Sequence, residues 1–88
     1  MPHEPFELHG TIAAKPGQRD ALLAILREAA ANAPAMPGCR SYEVRPVRGD
    51  PDSIAVDETW DDKASHDASL AIDSVRAAIA RALPLMRR

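Results

Sequence analysis

The sequence predicts an α+β domain, a three-stranded sheet with one layer of helices on one face. Two observations carry this. Residues 6–14, 39–47 and 53–60 alternate apolar and polar side chains with the period of a half-buried strand, while residues 19–33 repeat apolar side chains at helical spacing. Most of the eight prolines fall where these elements should end.

In the first strand, Phe6, Leu8, Gly10 and Ile12 share one face, with Glu7, His9, Thr11 and Ala13 on the other. Lys15-Pro16-Gly17-Gln18 breaks it. An amphipathic helix of about four turns follows, its apolar stripe made of Leu22, Ile25, Leu26, Ala29 and Ala33. Pro34 and Pro37 stop this helix and Gly38 permits the turn back. The second strand places Tyr42 and Val44 on one face and Ser41, Glu43 and Arg45 on the other. Pro46 predicts an edge position or a bulge near its end. Gly49-Asp50-Pro51-Asp52 reads as a hairpin loop. The third strand, Ser53 to Trp60, puts Ile54, Val56, Glu58 and Trp60 on one face. Asp61 or Asp62 can cap a short helix through Ser69 and Leu70. Asp73 can cap another, with Val75, Ile79 and Leu83 as its stripe, ended by Pro84.

Strand, helix, strand, strand, helix lacks one strand of the ferredoxin-like β-α-β-β-α-β order. Only four residues follow Pro84, so the final strand is expected to be short or missing. The second sheet face, which includes Thr11, Ala13, Ala55 and Thr59, is either solvated or packed against a second sheet. Two sheets face to face would make a dimeric α/β barrel.

The chain has 88 residues, enough for one domain spanning 1–88. A chain this small buries only about 60–65% of its unfolded surface, and oligomerising is a common remedy. One Cys excludes an intrachain disulfide and a Cys-based zinc site. A formal net charge of -2 argues against a nucleic-acid module. The absence of an apolar membrane span and of a signal-peptide pattern makes a cytoplasmic protein the expectation.

Four segments stand in one order: Ile12-x-x-Lys15-Pro16-Gly17-Gln18, Pro37-Gly38-Cys39-x-x-Tyr42, Asp52-Ser53-Ile54 and Glu58-x-Trp60. Together they resemble the antibiotic biosynthesis monooxygenase family, and within it the quinol monooxygenases. The resemblance covers nearly all of the chain. It implies a homodimer with facing sheets, no metal or organic cofactor, and a substrate pocket between sheet and helices beside Trp60. Family members usually have the last strand, and here this chain departs from them. Haem-degrading relatives use an Asn on the first strand. Residues 6–14 contain none, which disfavours haem.

The candidate catalytic residue is His66, because histidine is the side chain that most readily exchanges a proton near neutral pH. The family often carries a His nine residues after the Trp. Here that position is Ser69, and His66 lies about one helical turn before it. The substrate-binding candidates are Trp60, Tyr42, Gly10, Glu58 and Ser69. Trp60 is a core residue or a stacking wall with an indole donor. Glu58 shares its face and needs a hydrogen-bond partner there. Tyr42 offers a phenolic donor. Gly10 either leaves room for a ligand or marks a bulge or close packing. His9 is expected to hydrogen-bond Asp57 on the opposite face, and His3 to lie in a mobile terminus. Cys39 reads as a small buried hydrophobe. No metal-ligand spacing is present.

These residues suit a monooxygenase that oxidises a hydroquinone- or anthrone-type aromatic with O₂ and no cofactor. The partners would be a small aromatic, O₂ and a second copy of the chain, with no nucleic acid and no membrane. Fold does not fix function. A non-catalytic ligand-binding barrel, or a cofactor-free isomerase or decarboxylase, would use the same scaffold.

Overall fold

The computed structural model describes residues 4–87, so His3 lies outside the described residues. Strand β1 is Phe6–Ala13, helix α1 Arg19–Asn32, strand β2 Cys39–Pro46, strand β3 Ser53–Trp60, helix α2 Lys63–Ser69 and helix α3 Asp73–Ala82. Short 3-10 turns at Ala33–Ala35 and Leu83–Leu85 follow α1 and α3, each built around a proline.

β3 is the central strand and pairs antiparallel with both β1 and β2. Pro46 therefore ends an edge strand, where its missing N–H costs no ladder bond. The register aligns three-residue rows on the helix side. Phe6, Trp60 and Cys39 form one, Leu8, Glu58 and Tyr42 the next, and Gly10, Val56 and Val44 the third. Between Cys39 and Ser41 the register shifts, a β-bulge that turns the start of β2.

This is the ferredoxin-like arrangement with the final strand cut short. Met86 makes one antiparallel bridge to Ala14 at the outer edge of β1. Two backbone bonds of 2.8 Å, Lys15 N–H to Leu85 O and Arg87 N–H to Ala13 O, flank it. Among the described residues, that bridge is all that remains of the strand.

α1 packs on β2 and β3, and α2 packs on β3. Leu22 and Ile54 are fully buried between α1 and the sheet, joined by Leu23, Ile25, Val56 and Ala82. The α1 stripe is shifted from the expected one: Leu22, Leu23 and Ile25 are its buried residues, and Leu26 is only half-buried. Leu26 faces a cavity, which its spacing alone could not reveal.

Asp62 caps α2, accepting from the Ser65 backbone N–H at 2.8 Å. Asp73 does not cap α3. The cap position is Ile72, with extended backbone, and Asp73 is the first helical residue. Its carboxylate there still meets the positive end of the helix.

α3 rests mainly on α1, where Arg81 reaches Glu28 at 3.3 Å, rather than on the strands. Two of the side chains it turns inward, Ala78 and Ala82, are small, while Val75 and Ile79 stand beside them at the cavity. Small residues above and Gly10 on the sheet leave the space between α3 and the sheet underfilled.

Candidate functional site

A cavity of about 410 Å³ lies there. Of the six candidate site residues, Trp60, Tyr42, Glu58, His66 and Ser69 line it. Gly10 is not among its lining residues, although its neighbours on the same strand face, Leu8 and Ile12, are. A Cβ at Gly10 would meet no heavy atom within 4 Å, so the close-packing reading fails and open space is what the glycine leaves.

Trp60 is 1% exposed. Its indole N–H donates to Glu58 Oε1 at 3.0 Å, so the buried carboxylate has the partner its position requires. Leu8 and Tyr42 stand directly opposite Glu58 on its two neighbouring strands. Burial pushes the Tyr42 phenol up to about 12, and the negative charge of Glu58 adds to the shift. Tyr42 is therefore a hydrogen-bond donor at neutral pH, never a base. Burial, then Glu58, also pushes the Cys39 thiol up, which keeps it protonated and unreactive. Cys39 is half-buried rather than buried, because it sits at the bulge on an edge strand.

His66 comes from α2 and stacks against both aromatic residues of the first row. Its ring centroid is 5.1 Å from Phe6 and 5.8 Å from Trp60, the latter edge-on. Its Nδ1 lies 3.0 Å from Asp67 Oδ1. A carboxylate accepts only, so this contact selects the tautomer with a proton on Nδ1 and a free lone pair on Nε2. Among the described residues Nε2 has no hydrogen-bond partner. Asp67 is itself held by Lys63 Nζ at 2.7 Å, and Lys63, then His66, hold its carboxyl below the usual range. Ser69 is buried and donates its hydroxyl to the His66 carbonyl, which fixes the turn carrying the imidazole. Ser69 thus touches the site through the helix that presents His66.

The expected His9–Asp57 bond is present, Nδ1 to Oδ1 at 2.8 Å, on the sheet face away from the cavity. Arg45 also binds Asp57 there. Among the described residues, no group of three His, Cys, Asp or Glu could hold a metal ion, and no helix is long and apolar enough to cross a membrane.

The family model for antibiotic biosynthesis monooxygenase matches residues 5–81. The chain belongs to the antibiotic biosynthesis monooxygenase family. A solved structure from Chloroflexus aurantiacus J-10-fl, assigned provisionally to the same family, is 49% identical over 94% of this chain and 82% of that one, with a TM-score of 0.87. A Pseudomonas aeruginosa protein is 27% identical over 96% of this chain and 85% of its own, with a TM-score of 0.86. A Nitrosomonas europaea structure superposes at a TM-score of 0.90 over 100% of this chain and 84% of its own, at 12% identity, which shows a shared fold. Among curated proteins no relative matches.

Within this monooxygenase family frame, His66 and Ser69 are neighbours on one side of α2, both facing the cavity beside Trp60. Reasoning from sequence missed Asp67, because a carboxylate one residue from a histidine carries no periodic signal. It also missed Leu70 and Met86 as cavity walls. Their places depend on the α2–α3 turn and the terminal bridge, which no local pattern encodes.

Proposed function

We propose that the cavity is the active site of a cofactor-independent monooxygenase that oxidises a hydroquinone- or anthrone-type aromatic with O₂ in the cytoplasm. The observation that carries this reading is His66, set edge-on to Trp60 in the cavity wall and held from the solvent side by Asp67.

His66 Nε2 takes the hydroxyl proton of the bound aromatic, in its enol form for an anthrone. Asp67 stabilises the imidazolium that results. The aryloxide is electron-rich enough to pass one electron to O₂, and the radical pair joins to form a carbon–oxygen bond. Cleavage of the O–O bond leaves one oxygen on the substrate as a carbonyl. The other departs as water with two substrate hydrogens. All four electrons come from the substrate, so no further reductant is needed. Tyr42 donates to a substrate oxygen, and Trp60 and Leu8 wall the ring in a largely apolar space from which the bound substrate displaces water. A homodimer through the open sheet face, read from the family resemblance and the small core, accompanies this reading. Sedimentation of dilute protein checks it, and a folded 9.5 kDa monomer would remove it.

Oxygen uptake by metal-stripped, flavin-free protein with a panel of hydroquinones and anthrones tests the chemistry. His66→Ala is expected to lower the rate by roughly 10²-fold or more. No uptake with any member of the panel would overturn the reading. Equal rates in His66→Ala would remove His66 as the base.

A further inference from the structure

Resting on the reading of this cavity as the substrate site, we infer that its substrate is a neutral aromatic carrying an apolar tail. The aromatic head sits at the Trp60 end and the tail runs under α3 toward Leu83 and Met86.

Length is the first reason. Trp60 pairs with Phe6 and Ile54 with Ile12, so the lining from Trp60 to Ile12 follows six residues of strand. That is roughly 20 Å. On the roof, Val75 to Leu83 covers eight residues of α3 and its end, about 12 Å. A single aromatic ring fills only one end of such a space.

Polarity is divided along this length. Trp60, Glu58, Tyr42, His66 and Ser69 gather at one end, whereas Ile12, Ile79, Leu83 and Met86 line the other with no polar side chain. Leu8, Leu70, Ile79 and Leu83 are 41–54% exposed, and they are the exposed large hydrophobics among the described residues. All four line this one cavity. Scattered exposed leucines need no explanation, but apolar side chains gathered around one opening do.

Charge is the third reason. The lining contains no Lys or Arg, and its carboxylate, Glu58, is buried. An anionic ligand would meet a like charge and find no cation to replace its lost hydration. A cation would trade its hydration for one buried carboxylate already bonded to the Trp60 indole, in a lining that is otherwise mostly apolar, so the occupant is uncharged.

The test uses 5-alkylresorcinols from methyl to heptyl. They present two phenolic hydroxyls, resist oxidation and so report binding without turnover. Trp60 is the only Trp, so quenching of its fluorescence reads occupancy. Affinity is expected to rise by roughly threefold for each methylene buried. 2,4-Dihydroxybenzoate is expected to bind roughly tenfold or more weakly than its methyl ester. Leu83→Glu, at an exposed site that tolerates the change, should flatten the dependence on chain length. Less than about a twofold gain from methyl to heptyl in the wild-type protein would overturn the proposal, whatever the variant does. So would a free acid that binds as tightly as its ester, or an unchanged chain-length dependence in Leu83→Glu. Chain-length selection without oxygen uptake would sink the oxygenase and leave this ligand class standing. Oxygen uptake without chain-length selection would do the reverse.

Discussion

The Trp60 indole N–H and Glu58 Oε1 are joined at 3.0 Å, two residues apart on one face of the central strand, both buried. The bond ties the wall of the cavity to the carboxylate on its floor. Trp60→Phe would keep most of the packing and leave Glu58 without that donor. The expected loss is about 1–3 kcal/mol, read as a lower urea midpoint by circular dichroism. Glu58→Gln keeps an acceptor for the indole and should cost less. Equal losses in both would show that packing alone matters there.

Much of this pairing was legible beforehand. Strict alternation from Ser53 to Trp60 put Glu58 and Trp60 on one face, and a carboxylate aimed at helices needed a partner. The depth of the cavity was not legible. It arises because α3 leans on α1 through Arg81 and Glu28 while Ala78 and Ala82 face the sheet. Periodicity reports which residues face inward, and it is silent on how far the helix stands from what it faces.

The same limit separates Leu22 from Leu26. Both lie on the expected stripe of α1, but Leu22 is fully buried against the core and Leu26 faces the cavity. Leu22→Ala should cost about 2–5 kcal/mol because it empties packed volume. Leu26→Ala removes a group that already borders empty space and should cost less than half as much. Equal losses in urea denaturation would mean that the cavity is filled in solution.

Gly38 should be the least replaceable glycine. Its φ is +80°, a left-handed backbone, and a Cβ there would approach Ser65 Oγ within 2.5 Å. Gly49 has a similar φ of +83° but open space around it. Gly49→Ala should therefore show the backbone penalty alone, about 1–2 kcal/mol. Gly38→Ala should lose more, and Ser65→Gly in the same chain should recover part of the difference. A Gly38→Ala loss no greater than that of Gly49→Ala would mean α2 moves aside freely.

On the opposite face, Asp57 and then Glu7 raise the pKa of His9 above its ordinary 6.5, and His9 and then Arg45 lower that of Asp57 below 3.8. A raised histidine contributes stability that is fully present below pH 6.5 and lost as pH rises through its folded value. The lowered aspartate contributes above pH 3.8 and loses its share as pH falls through its folded value. His9→Gln should therefore lower the urea midpoint at pH 5.5 and leave it nearly unchanged at pH 9. Asp57→Asn should lower it at both, because Arg45 remains charged. An effect of His9→Gln that is larger at pH 9 than at pH 5.5 would contradict the assignment.

Gly10 lies between Leu8, opposite Glu58, and Ile12, at the apolar end of the cavity. It therefore stands on the path between the ring and the tail. A Cβ there meets nothing within 4 Å, so Gly10→Leu has room for its first carbon and replaces a weak strand residue with a better one. Stability should fall by less than the roughly 1–3 kcal/mol typical of overpacking, and it could rise. The added side chain would project from the same face as Leu8 and Ile12, narrowing the passage under α3. Short resorcinols should still quench Trp60, whereas the heptyl compound should lose most of its advantage over the methyl one. A folded Gly10→Leu protein that retains the full chain-length dependence would place the tail elsewhere. Loss of binding of the short and long compounds alike would put the ring itself beside Gly10.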